Sequence, residues 1–173
     1  SFITDKDGYC ETHAIGSTRS STLSSSYPAF YYALNYSIAS PSGSSGWYLP
    51  SIGQYWDILV NLGNVSTTVT NSDANWGWCR WFGSDTNGGG KDYSTLFESS
   101  INSFFTAITT YASNHGYTNY GTVDTFSNNE CYWSSSEYNS NYGSLLNIGS
   151  STQLSMGSDL KYHTCKIRSV LAF

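Results

Sequence analysis

The apolar pattern of this chain changes after Asn129 from a helical period to a period of two, and this change limits the fold more than any other feature. Before it, residues 52–62 carry apolar side chains three and four positions apart, with Ser51 as a natural N-cap and Gly63 as a stop. After it, short alternating segments are joined by Gly, Ser and Asn turns. Helices early and antiparallel strands late predict one α+β domain over residues 1–173.

Further elements follow from the same periods. A helix is predicted over residues 29–38 after Pro28, and another over residues 94–113. The apolar face of the latter is formed by Phe97, Ile101, Phe104, Phe105 and Ile108. The polar residues up to Ser26 are predicted to be irregular or short-stranded. The predicted strands cover residues 131–135, 144–148, 152–156 and 165–172.

The charge balance excludes two classes of partner. The chain has 12 acidic and 7 basic residues, giving a net charge of −5 without any basic cluster. Nucleic acid and anionic lipid are therefore not expected as partners, because both need clustered Lys and Arg. No apolar run of about 18 residues occurs, so no membrane-spanning helix is predicted. Since no signal peptide begins at Ser1, we expect that one was removed or that the chain is part of a longer protein.

Aromatic residues make up 17% of the chain, with 15 Tyr and 6 Trp among many Ser, Asn and Gly. This composition is typical of antibody combining sites, and it also fits a secreted β-rich protein that uses few charges. The cluster of Trp76, Trp78 and Trp81 has the same two interpretations, as a recognition surface or as core packing. Composition alone leaves both open.

The sequence shows no motif for catalysis or metal binding. His13, His115 and His163 are scattered without a zinc-binding spacing, and no G-x-S-x-G elbow is present. The aspartates have no spacing that favours a glycosidase pair over solvated surface carboxylates. We therefore expect no metal, no cofactor and no enzymatic activity.

The four cysteines are Cys10, Cys79, Cys131 and Cys165. They contain no C-x-x-C pair, which makes a zinc ribbon or a thioredoxin-like site unlikely in this pattern. Four cysteines allow three pairings, and the sequence leaves all three open.

Three motifs, taken in order, resemble one family. They are residues 46–59 (GWYLPSIGQYWDIL), 132–138 (YWSSSEY) and 166–173 (KIRSVLAF). Residues 8–15 show a weaker similarity to the same family. They are similar to bacterial C-type-lectin-fold domains of fimbrial tip adhesins and surface lipoproteins. Variable proteins diversified by retroelements, such as the phage major tropism determinant, are related in fold.

The resemblance implies a C-type-lectin-like fold, with helices packed on a small antiparallel sheet and long loops. It implies that Trp47 and Trp133 are buried anchors. Glu137 and Arg168 are expected either to form a buried, hydrogen-bonded pair or to be unrelated surface charges. The ligand surface would lie between Glu137 and Lys166. Its candidate contact residues are Tyr138, Asn139, Asn141, Tyr142, Leu145, Asn147, Leu160, Tyr162 and His163.

The function expected from these features is non-catalytic ligand binding or adhesion at a bacterial surface or pilus tip, outside the cell. The partner would be a protein or glycan on a host or neighbouring cell, or other pilus subunits. The sugar motifs of calcium-dependent lectins (E-P-N, Q-P-D, W-N-D) are absent, so the fold by itself does not imply sugar binding. The Asn, Ser, Tyr and Leu content of the 137–166 segment fits retroelement diversification, and ordinary polar turns explain it as well. Alternatives are a structural pilus subunit and, less favoured, a carbohydrate-active enzyme.

Overall fold

The computed structural model describes residues 4–64, 80–82, 93–116, 125–149 and 154–172, and it shows an α+β protein. Its helices are α1 (Gly8–Thr18), α2 (Leu23–Ser26), α3 (Pro28–Leu34), α4 (Ile52–Asn61) and α5 (Tyr93–Asn114). Its strands are β1 (Arg80–Phe82), β2 (Glu130–Glu137), β3 (Tyr142–Ile148) and β4 (Leu154–Leu160). The predicted class, with helices early and an antiparallel sheet late, is confirmed.

The four strands form one antiparallel sheet in the order β1-β4-β3-β2, and β1 is a short edge strand. In the register, Tyr132 lies opposite Leu146, which lies opposite Met156. Side chains at these positions point to one face of the sheet, because successive residues of a strand alternate between faces. All three are buried in the main hydrophobic core.

Helices α4 and α5 also contribute to this core, and the predictions of both helices are confirmed. The core side chains of the two helices include Tyr55, Leu59, Phe97 and Ile101, all fully buried. Helix α4 begins with a capping box, in which the Ser51 hydroxyl accepts from the Gln54 amide and the Gln54 side chain accepts from the Ser51 amide.

The prediction for the N-terminal residues is wrong, because they form helices α1 and α2. Helix α1 buries only Gly8 and Thr12, so it shows no apolar period. Its attachment is polar: the Thr12 hydroxyl donates to the Leu49 carbonyl at 3.2 Å and accepts from the Leu49 amide at 3.1 Å. A search for apolar periodicity cannot detect a helix that docks in this way.

Two further details concern the other helices. Helix α3 ends at Leu34 rather than at residue 38, and the Asn35 side chain donates to the Tyr31 carbonyl at 2.8 Å where the helix stops. On α5, Phe104 and Ile108 were expected in the apolar face of the helix, and both side chains are exposed.

The C-terminal residues 165–172 do not form the predicted strand; they bridge two parts of the fold. Lys166 pairs with Tyr132 of β2, and Val170 pairs with Tyr48. A disulfide bond between Cys131 and Cys165 fixes the start of this C-terminal tail. The sequence had left the partners of both cysteines open. The remaining cysteines are Cys10, an exposed free thiol, and Cys79, which lies outside the described residues together with Trp76 and Trp78.

The tryptophan anchors are confirmed in part. Trp133 is buried in β2, next to Gly143. Trp47 is half-buried, and its indole Nε1 donates to the Ile38 carbonyl at 2.6 Å. Within the part of the chain that the structure describes, no helix has the length and apolarity needed to cross a membrane.

Candidate ligand-binding surface

The turn between β2 and β3 and the turn after β4 lie next to each other at one end of the sheet, where these strands begin or end. We call this region the tip surface and define it by five exposed residues: Tyr138, Asn139, Asn141, Tyr162 and His163. Tyr138 is 46% exposed and Tyr162 is 76% exposed. Large aromatic side chains at this exposure are candidates for ligand contact, because their rings are rigid and offer a large apolar area.

The β2–β3 turn is held by the side chain of Asn139. Its Oδ1 accepts from the amide of Asn141 at 2.9 Å and from the amide of Tyr142 at 3.0 Å. The Tyr138 amide donates across the turn to the Tyr142 carbonyl at 3.0 Å. An Asn side chain that bonds to the backbone two residues ahead stabilises a tight turn. The backbone beneath Tyr138 is therefore fixed before any ligand arrives.

The end of β4 is organised in a similar way by Asp159. Its Oδ1 accepts from the Leu160 amide and from Nδ1 of His163, each at 2.8 Å. The His163 amide donates to the Leu160 carbonyl at 2.8 Å, which closes the turn. The rings of Tyr162 and His163 are in edge-to-face contact, 4.8 Å apart. Asp159 therefore positions the His163 ring, which the Tyr162 ring contacts.

Lys161 joins the two turns. Its amide donates to the Asn141 carbonyl at 3.0 Å, and its ammonium group bonds to the Ser140 carbonyl at 3.2 Å and to the carboxylate of Glu137. Neither Lys161 nor Asp159 is among the contact residues predicted from the sequence. The contact between Asp159 and His163 could have been predicted from their spacing of four residues. The contact between Lys161 and Glu137 could not, because it depends on strand register.

Of the two alternatives expected for Glu137 and Arg168, the buried pair is not formed. Glu137 is exposed and binds Lys161. The Arg168 guanidinium lies instead over the rings of Phe105 and Phe126, 4.8 Å from each centroid. Arg168 thus attaches the C-terminal tail to α5 and the core by cation–π contact.

The remaining candidate contacts do not all belong to the tip surface. Tyr142 and Leu160 are cross-strand partners beside it and are half-buried. Asn147 is half-buried and lies five positions further along β3, roughly 17 Å from Tyr142 at strand geometry. Leu145 is only 6% exposed and sits opposite Trp133, so its proposed role as a ligand contact is corrected to core packing.

A second polar cluster lies on β2, where buried serines meet the N-terminal segment. The Ser135 hydroxyl donates to Glu11 and the Ser136 hydroxyl donates to Asp5, each at 2.5 Å. Burial raises the pKa of Glu11, the bond from Ser135 opposes this, and the charge of Asp5 adds to it. These contacts fasten α1 to the sheet.

Two features of the described residues bear on metal binding and catalysis. They contain no group of three or more His, Cys, Asp or Glu side chains that could hold a metal ion. His163 and Asp159 form a dyad like the orienting pair of a hydrolase, but no hydroxyl or thiol of the described residues bonds to the second ring nitrogen of His163. What the tip surface presents is two tyrosine rings beside amides and internally paired charges.

Comparisons with known proteins give no relative: no family model matches the chain, and neither the curated proteins nor the solved structures contain a significant match.

Proposed function

We propose that this chain is a non-catalytic ligand-binding module with a C-type-lectin-like fold, displayed on a bacterial surface or pilus tip. The tip surface would bind a protein or glycan on a host or neighbouring cell. The observation that carries the proposal is the pair of exposed rings, Tyr138 and Tyr162, held on a rigid sheet edge by hydrogen-bonded turns.

The fold assignment is supported by the way in which the three family-like motifs meet. The Trp133 amide donates to the Lys166 carbonyl at 3.0 Å, which joins the second motif to the third. The Ser135 amide donates to the Pro50 carbonyl at 2.9 Å, which joins the second to the first. Tyr48 and Val170 exchange two backbone bonds, which join the first to the third. The motifs therefore form one hydrogen-bonded unit, which gives a physical reason for their occurrence together.

A ligand-binding role without a catalytic step is supported by the side-chain contacts beside the rings of Tyr138 and Tyr162. Lys161 is bound to Glu137, and the His163 ring is bound to Asp159, so both of these side chains are engaged by carboxylates of this chain. Such pairs fix side chains in place at little net gain in stability, because exposed ion pairs contribute only about 0–1 kcal/mol. Their arrangement suits a preorganised contact surface, which lowers the entropic cost of binding.

The test is binding of labelled protein to a glycan array and to cultured epithelial cells. We expect the double variant Tyr138→Ala/Tyr162→Ala to fold normally and to lose at least tenfold in binding, since aromatic side chains dominate such contacts. Tyr32→Ala is the matched control, because the exposure of Tyr32 lies between those of Tyr138 and Tyr162 but the residue lies on α3. Full binding by the double variant would remove the tip surface as the site. Failure of the wild type to bind any probe would favour a structural subunit.

A further inference from the structure

The turn after β4 contributes two aromatic rings to the tip surface and is attached at both of its ends. At one end, Leu160 of β4 pairs with Tyr142 of β3. At the other end, Cys165 is joined by the disulfide bond to Cys131 in β2. Residues 161–164, which we call the β4 turn, lie between these attachments, and all four are exposed. Burial does not hold the β4 turn, so its conformation depends on its two ends and on its polar contacts.

The C-terminal tail that begins at the disulfide bond lies on the surface of the fold. Each of residues 165–172 is half-buried or exposed, and the described residues of the main hydrophobic core all precede them in the chain. The backbone attachments of the tail include the bridges from Lys166 to Tyr132 and from Val170 to Tyr48. A segment with few buried contacts opens at a lower cost in free energy than the core does. Loss of the disulfide bond is therefore expected to loosen the tail and the β4 turn while the sheet stays folded.

We propose that the disulfide bond between Cys131 and Cys165 is a redox switch for the tip surface. When the bond is closed, the β4 turn is ordered for binding; when the bond is reduced, the turn is loose and the ligand binds more weakly. Both cysteines are half-buried, which leaves the bond within reach of an attacking thiolate. The inference rests on the proposed function, because it assigns a means of regulation to the same surface.

Closure of the switch is a two-electron oxidation by thiol–disulfide exchange. The thiols of Cys131 and Cys165 give up two protons and two electrons and form one S–S bond, and the disulfide of an oxidising protein accepts them and becomes a dithiol. A dithiol reductant reverses the step. Because disulfides persist outside the cytoplasm and are rare inside it, a module exported to the cell surface would acquire an ordered tip only after export.

The effect on affinity is expected to be partial, because the other half of the tip surface has its own support. The turn that carries Tyr138 is held by hydrogen bonds to the side chain of Asn139. A loose β4 turn has to be ordered again when the ligand binds, and this loss of conformational entropy lowers the affinity. Reduction should therefore weaken the contacts made by Tyr162 and His163 and spare those made by Tyr138.

Limited digestion with trypsin tests the release of the β4 turn without any ligand. Lys161 begins the turn, and Lys6 is its matched control, because each side chain is 42% exposed and bonds to one carboxylate and one backbone carbonyl. Reduction with dithiothreitol, or the double variant Cys131→Ala/Cys165→Ala, should speed cleavage after Lys161 by about tenfold or more. Cleavage after Lys6 should change less than about twofold in the same samples.

Three results of the digestion would overturn the inference. One is unchanged cleavage after Lys161 on reduction. Another is an equal acceleration after Lys6, which would mean general unfolding rather than local release. The third is a Cys10→Ala protein that no longer responds to dithiothreitol, because Cys10 is a free thiol outside the bridge.

Binding to the glycan array and to epithelial cells is then compared between the wild type and the double cysteine variant, which spares the cells a chemical reductant. We expect the variant to bind about threefold or more weakly, a smaller loss than that of Tyr138→Ala/Tyr162→Ala. Equal binding would overturn the switch. If the wild type binds no probe, the proposed function fails and regulation of binding fails with it, whereas cleavage after Lys161 still decides whether the bond orders the turn.

Discussion

The side-chain oxygen of Ser135 lies 2.5 Å from Oε2 of Glu11, and this contact joins helix α1 to β2 across a separation of 124 residues. Glu11 is half-buried, and two further carboxylates, those of Asp5 and Asp7, raise its pKa in addition to burial. The nearby cation, Lys6, is engaged by Asp57 and by the Gly53 carbonyl. The folded state therefore prefers Glu11 in its protonated form more strongly than the unfolded state does.

The first prediction concerns the pH dependence of stability. Because the folded-state pKa of Glu11 lies above the unfolded one, this group stabilises the fold at low pH, and the stabilisation is lost as the pH rises through the folded-state pKa. Glu11→Gln, which is always neutral, should therefore be more stable than the wild type at pH 7.5, by about 1 kcal/mol or less. The difference should shrink as the pH falls toward 4. Urea unfolding of both proteins at the two pH values measures it.

A matched control is Glu98→Gln, on α5, whose side chain is also half-buried. The pH trend of Glu11→Gln is measured relative to this variant. If Glu11→Gln were less stable than the wild type at pH 7.5, the ionised carboxylate would be a net stabiliser and the bond from Ser135 would outweigh burial.

The second prediction concerns the disulfide between Cys131 and Cys165, which are 34 positions apart in sequence. Replacing both with Ala should lower the free energy of unfolding by about 3 kcal/mol, since the open chain gains loop entropy in the unfolded state. Cys10→Ala should change stability by less than about 0.5 kcal/mol, because this thiol is exposed. Urea unfolding with and without a reducing agent checks both variants. A double variant as stable as the wild type would mean that the bridge does not restrain the unfolded chain.

How far sequence alone predicts this fold depends on whether the signal is local. Helix α4 is predicted correctly because the capping box of Ser51 and Gln54 and the apolar period lie in one segment. Helix α1 is missed because its docking partners are distant in sequence and its contacts with them are polar, through the backbone of Leu49 and the hydroxyl of Ser135. Nothing in residues 8–18 alone reveals these contacts.

The same distinction applies to the tip surface. Tyr138 and Tyr162 were selected by composition and by resemblance, and both are exposed. The residues around these two tyrosines are brought together by the strand register, in which Tyr142 lies opposite Leu160. No local sequence pattern predicts this register. Leu145 was misjudged because period-two alternation does not say which face is solvated, and here Leu145 and Leu146 are both buried on opposite faces.

The third prediction concerns Arg168, whose guanidinium lies over both Phe105 and Phe126. Arg168→Lys keeps the charge but loses the planar group that stacks on the rings, and it should cost about 1 kcal/mol of stability. Arg19→Lys, at an exposed position after α1, should cost less than about 0.5 kcal/mol. Thermal unfolding measures both. Equal stability of the two variants would show that stacking on Phe105 and Phe126 contributes nothing measurable.

The fourth prediction concerns sequence variation between isolates, if the proposed binding surface is diversified by a retroelement. Substitutions at adenine-derived codons should then concentrate at the exposed positions of the tip surface, such as Asn139, Asn141 and Tyr162. Leu146 and Met156 lie within the same stretch of chain but are fully buried, and they should stay apolar, because a polar residue there would leave an unpaired group in the core. Deep sequencing of the 3′ end of the gene measures this contrast. Variation spread evenly over tip and core positions, or no greater than in α4, would exclude diversification and direct the search to one fixed ligand.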